Sequence, residues 1–132
     1  MPKPLRDFAL EVYFSRWEFD AKYHLTASDA ESLSLDALLA LASPEDRERF
    51  NALWLGYTET WGAAALRSEI AATFDSIAAE EVLTFAGAQE AVYIAMHVLL
   101  GPDDHAIVLT PNYQSAETVP LSICATSRVP LA

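Results

Sequence analysis

Two short stretches of the chain carry residue types suited to holding a ligand. Phe85-Ala86-Gly87-Ala88-Gln89-Glu90 lies where an apolar run gives way to a helical pattern, the position at which open α/β sheets bind ligands. A helix beginning there turns its first N–H groups outward and attracts an anion. Gly87 lets the backbone come close to a phosphate, and Gln89 adds a side-chain donor. The second stretch, Thr110-Pro111-Asn112-Tyr113-Gln114-Ser115, ends another apolar run and puts Tyr113 beside the same crevice, where its face can stack on a flat ring. Taken singly, a glycine in such a turn is also a tight-turn device, and an aromatic at a strand end is also ordinary packing. On successive strand ends of one βαβ unit, the pair suggests a planar phosphorylated ligand.

The elements that must position these residues change character near residue 80. Before it, the pattern is helical. Leu5, Phe8, Ala9, Val12 and Tyr13 recur at helical spacing toward Trp17, and Tyr13, Phe14, Trp17 and Phe19 make one face sticky. Ser34 caps a predicted helix through Ala42. Ser43, Pro44 and Asp46 supply the cap, first-turn proline and first-turn acid of another that ends near Gly56. A further helix is expected from Gly62 to Phe74, with Ala65, Leu66, Ile70 and Ala71 on its apolar side. After residue 80 the expectation is a strand at Val82–Phe85, a helix at Ala88–Leu100 closed by Gly101-Pro102, and a strand at His105–Thr110 ended by Pro111. A helix from Gln114 to Leu121 and a strand from Ile123 to Val129 follow. The predicted class is α/β: a helical N-terminal segment followed by a partial βαβαβ unit. The chain divides into 1–80, a helical arm, and 81–132, the start of an α/β domain.

Composition narrows the function classes. The chain has 132 residues, 52% of them hydrophobic, enough for one small domain with a core. Eight Lys and Arg face 19 Asp and Glu, a formal charge of -11, which repels phosphate backbones and anionic lipid heads. Nucleic acid and membrane surfaces are therefore not expected partners. Charged residues at Arg6, Asp7 and Glu11 interrupt any signal-peptide core, and no run nears the roughly 20 apolar residues needed to span a bilayer. The one cysteine, Cys124, forms no intrachain disulfide and reads as a buried free thiol, which fits a cytoplasmic protein.

The remaining polar residues are expected to do no chemistry. His24, His97 and His105 are spread over three elements without metal-ligand spacing, so no metal is predicted. Glu80-Glu81 and Asp103-Asp104 flank strand starts as solvated loop charge. Ser68 and Ser115 lack the context of a nucleophile.

Taken in order, these motifs resemble those of the fold type I pyridoxal-phosphate enzymes, specifically the class I/II aminotransferases. The resemblance rests on Gly56-Tyr57-Thr58-Glu59-Thr60-Trp61-Gly62 with Leu66-Arg67, on Val82 through Ala91, and on Ile107 through Tyr113. It implies pyridoxal 5'-phosphate as cofactor and an amino acid as substrate. It implies that Gly87, Ala88 and Gln89 form the phosphate turn and that Tyr113 is the aromatic stacked on the pyridine ring. Tyr57 is similar to a tyrosine that reaches across a dimer interface to the neighbouring subunit's phosphate. Leu25-Thr26-Ala27-Ser28-Asp29 looks like a segment entering the substrate site, although Ser28-Asp29 reads equally as a helix cap.

The chain departs from that family in lacking a recognisable catalytic set. Transamination needs a lysine to hold the cofactor and move a proton, an acid opposite the pyridine nitrogen and usually an arginine for the substrate carboxylate. The only lysines are Lys3 and Lys22, and neither has a family-like context. No catalytic residue is assigned, and the chain alone is expected to be inactive. The resemblance also implies that strands from elsewhere separate the first two strands of the sheet. The pair must then join directly, swap with another copy, or dock on a complementary chain, because an open apolar edge is an aggregation hazard. A homodimer or a complementary chain is expected. From another class, the alternative is a non-catalytic acidic module whose aromatic N-terminal helix binds a partner.

Overall fold

A computed structural model describes residues 4–131. Six α-helices and two strands follow in the order α1 (Ala9–Trp17), α2 (Leu35–Ala40), α3 (Pro44–Asn51), α4 (Ala64–Ala71), α5 (Ala88–Leu99), β1 (His105–Thr110), α6 (Ser115–Ile123) and β2 (Ala125–Pro130), with a 3-10 turn at Ala79–Glu81 between α4 and α5.

The helix starts are set locally. Ser34 Oγ accepts from the Ala37 N–H at 3.1 Å, and Ser43 Oγ accepts from the Asp46 N–H at 3.1 Å with Pro44 in the first turn. Each cap satisfies a donor that the helix cannot reach. Because Ser34 is the cap, Ser28-Asp29 caps no helix. α3 stops at Asn51, short of the expected Gly56, and α1 begins at Ala9 rather than Leu5.

The sheet has two parallel strands, β1 and β2, in register from His105 opposite Ala125 to Thr110 opposite Pro130. α6 forms the crossover between them and packs on both strands, while α5 packs on α6. Buried here are Val108, Val119, Cys124 and the fully buried Pro120. Pro120 removes one helical donor, yet α6 continues to Ile123 and ends with the Cys124 N–H on the Pro120 carbonyl at 2.8 Å. Cys124 is a buried free thiol.

The α/β class holds, but the βαβ unit forms one step later than the apolar runs indicate. Val82–Phe85 makes no strand and does not join β1. Strand conformation persists only where a neighbouring strand takes its N–H and C=O groups. The partner here is a loop: the Thr84 N–H bonds the Trp61 carbonyl at 3.0 Å. The end of α5 also differs. Leu100 caps it in an extended conformation, Gly101 does not take the left-handed one, and the Gly101 N–H is held by Asp104 Oδ2 at 2.7 Å.

A second packing centre ties α4 to the 3-10 turn. The half-buried Arg67 donates from Nε to the Gly62 carbonyl at 3.0 Å and from Nη1 to the Ala79 carbonyl at 2.8 Å. Charge-assisted bonds of this type hold loop backbone that has no ladder of its own.

The molecule is open for its size. It exposes 11133 Å², against about 6,900 Å² from the area scaling of folded monomers of its 14.5 kDa mass. Phe19, Leu25 and Leu55 are each at least 90% exposed, a pattern of apolar surface that normally has a cover.

Candidate functional site

The phosphate-type turn is built by α5. Gly87 is its N-cap and Ala88, Gln89 and Glu90 form its first turn. No side chain caps this end, so its first N–H groups remain available to an anion, favoured by the helix dipole. A Cβ placed on Gly87 meets nothing within 4 Å. Its backbone is extended, a conformation open to any residue, so what the missing side chain provides is free space in front of the turn. These donors and this space suit a phosphate group. One neighbour works against it: Glu90 reaches back so that its Oε2 accepts from the Ala86 N–H at 2.9 Å, which occupies one donor and brings a negative charge to the turn. Glu90 three residues after the N-cap is a position from which acids commonly return to the chain, and that was the signal for it.

Tyr113 stands in the connection from β1 to α6. Its carbonyl accepts from the Ala116 N–H at 3.0 Å, which fixes its backbone to the first turn of α6. The neighbouring Asn112 Nδ2 donates to the Leu109 carbonyl and closes the loop over the strand end. The residue is 47% exposed and its ring lies against Phe8, with centroids 4.9 Å apart and planes at 87°. Gly87 and Tyr113 thus sit at the starts of α5 and α6, two helices that pack on each other. Tyr57 makes no contact with either. It is fully exposed in the connection from α3 to α4, and no hydrogen bond or ring contact links it to the other two.

Two contributors around Tyr113 gave no sequence signal. Gln114 Oε1 accepts from the Ala9 N–H at 2.9 Å, and its Nε2 donates to the Asp7 carbonyl at 2.7 Å. With Phe8, Gln114 joins the N-terminal segment to the Tyr113 loop across more than 100 residues of sequence.

The lysine and histidine side chains make other contacts, and His24 Nε2 is buried without a hydrogen-bond partner among the described residues. Lys22 is exposed, with Nζ 5.4 Å from the ring centre of Tyr23; Lys3 lies outside the described residues. His24 packs edge-on to Phe14 at 5.3 Å, His97 stacks on Tyr93 at 4.1 Å, and His105 Nε2 is 2.9 Å from Ser127 Oγ. Among the described residues no three His, Cys, Asp or Glu side chains converge as a metal site would require. No described helix is long and apolar enough to cross a membrane. Leu25 through Asp29 is exposed loop.

No protein-family model matches the sequence. Among curated proteins the chain is 36% identical to an aspartate aminotransferase of Sulfurisphaera tokodaii over 48% of its own length and 17% of that protein. It is likewise 36% identical to an arginine–pyruvate transaminase of Pseudomonas aeruginosa over 57% of its own length and 20% of that protein. Among solved structures, a PLP-dependent aminotransferase from Streptococcus suis superposes with a TM-score of 0.87 at 26% identity, covering 98% of this chain and 36% of that one. A PLP-dependent cyclase superposes with a TM-score of 0.83 over 98% of this chain, at 20% identity.

The chain has a class I/II, pyridoxal-phosphate-dependent aminotransferase-like fold. It spans about a third of the aligned aminotransferase structure, and its matches cover a fifth or less of the curated relatives.

Proposed function

We propose that these residues form the phosphate-holding and ring-stacking part of a pyridoxal-phosphate-dependent aminotransferase acting on an amino acid. The observation that carries this reading is the start of α5: a helix end without a side-chain cap, with open space in front of Gly87, in a chain whose relatives are named as transaminases. The backbone N–H groups of Ala88 and Gln89 bind the phosphate, and the Gln89 amide adds a donor. Tyr113 offers its ring to the pyridine. Tyr57, fully exposed, reaches the phosphate of a neighbouring subunit in a homodimer. When bound, pyridoxal phosphate supplies an electron sink for bonds at the substrate's α-carbon. The residues of this chain bind and orient it, and the groups that move protons come from other sequence. That sequence also covers the apolar surface, either as a complementary chain or as more of the same one, with 1–80 as the arm and 81–132 as the beginning of the cofactor domain. A reduced cytoplasm suits the free thiol.

Titration of the protein with pyridoxal phosphate, followed by cofactor absorbance and by retention through dialysis, tests the reading. Retention that depends on Gly87 and Tyr113 supports it. Protein absorbance alone after dialysis favours the other class, an acidic module that binds a partner through the exposed Trp17 and Phe19 of the α1 region.

A further inference from the structure

We infer that Phe8 and Gln114 are positioning residues for Tyr113, so that the N-terminal segment sets how the ring is presented to the cofactor; this rests on the stacking role proposed above.

α1 begins with a defect. Its N-cap is Phe8, which has no side-chain acceptor, and no side chain of the segment caps the helix. Gln114 repairs this from a distance by accepting from the Ala9 N–H at 2.9 Å, while its other amide atom donates to the Asp7 carbonyl at 2.7 Å. Both ends of the amide are satisfied, so rotating it by half a turn would set like against like at both contacts. The two bonded groups flank Phe8, and the clasp therefore holds the segment on either side of the ring that touches Tyr113. Gln114 is itself anchored. Its carbonyl accepts from the N–H groups of Glu117 and Thr118 at 3.0 and 2.9 Å and from Thr118 Oγ1 at 3.1 Å.

Among the described residues no other helix or strand packs extensively on α1. This clasp and the edge contact between Phe8 and Tyr113, 4.9 Å between centroids, therefore tie its start to the α/β part, beside Pro4 and Arg6, which line a cleft with Thr118, Leu121 and Ser122 of α6. Phe8 contacts the Tyr113 ring, and Tyr113 as a residue stays 47% exposed, so it remains accessible to a ligand. A tyrosine so restrained has lost rotamer freedom before the ligand arrives, which reduces the entropy cost of stacking.

The test uses the protein expressed from its natural reading frame and loaded with pyridoxal phosphate, in the variants Gln114→Ala, Gln114→Glu, Phe8→Leu and Tyr113→Ala. Amide hydrogen exchange at Ala9 reads the clasp, and the visible circular dichroism of the bound cofactor reads the ring's orientation. Gln114→Ala is expected to speed exchange at Ala9 about tenfold, as for loss of one net hydrogen bond, and to change the cofactor dichroism. Gln114→Glu keeps the acceptor and loses the donor, and should fall between. Phe8→Leu keeps the apolar volume and Ala9 protection but should still change the dichroism. Unchanged dichroism and retention in Gln114→Ala and Phe8→Leu, with retention lowered in Tyr113→Ala, would overturn the positioning role and leave stacking intact. Unchanged retention in Tyr113→Ala would overturn both.

Discussion

Gly62 and Thr84 occupy adjoining space so closely that position 62 admits no side chain. Gly62 has a φ of +105°, and a Cβ built on it would lie 1.9 Å from Thr84 Oγ1. That hydroxyl and the Thr84 N–H both bond the Trp61 carbonyl, at 3.3 and 3.0 Å, and Arg67 holds the Gly62 carbonyl. The loop before α4 is thereby fastened to the extended segment that leads into the Gly87 turn.

Gly62→Ala is accordingly expected to cost about 1–3 kcal/mol, since it adds a strained backbone conformation to a clash. Urea unfolding of the purified variant measures this. A change below about 0.5 kcal/mol, the range of neutral surface substitutions, would show that the loop yields freely.

Gly87→Val should behave in the opposite way. With nothing within 4 Å of the added Cβ and an extended backbone, the fold should be undisturbed and the unfolding midpoint retained. The isopropyl group would instead fill the space in front of the α5 donors. Pyridoxal phosphate retention should fall more than about tenfold, as for loss of one or two charge-assisted hydrogen bonds. Equal retention in a folded variant removes the phosphate turn from the proposal.

At Tyr113 the ring rather than the hydroxyl is expected to matter. Tyr113→Phe should hold the cofactor nearly as well as the parent, and Tyr113→Ala several-fold less, because aromatic stacking contributes on the order of 1 kcal/mol beyond burial. Equilibrium dialysis of both variants decides it. Equal loss in the two would assign the contribution to the hydroxyl.

Neither lysine is expected to hold the cofactor. Borohydride reduction in the presence of stoichiometric pyridoxal phosphate should leave Lys3 and Lys22 unlabelled when peptides are weighed by mass spectrometry. Stoichiometric labelling of Lys22, now exposed beside Tyr23, would make it a cofactor ligand.

What was legible in the sequence was local in physical origin. The caps at Ser34 and Ser43 were readable because the serine and the N–H it serves lie three residues apart. β1 was readable because an apolar, β-branched run is cut off by Pro111, and α5 because a helical pattern follows directly on Gly87. Gly87, Gln89 and Tyr113 are candidate ligand residues on these same local patterns, whereas Tyr57 rests on the family resemblance alone. The tertiary structure decided the rest, because it depends on groups far apart in the chain. Val82–Phe85 has the composition of a strand, but strand structure resides in a partner's hydrogen bonds, and the partner it finds is the carbonyl of Trp61. Phe8 reads as one more apolar helix residue and Gln114 as a helix start. That a glutamine caps a helix 105 positions earlier, and so holds an aromatic against Tyr113, has no periodicity or spacing to reveal it, since such a contact is set by the path of the whole chain between them.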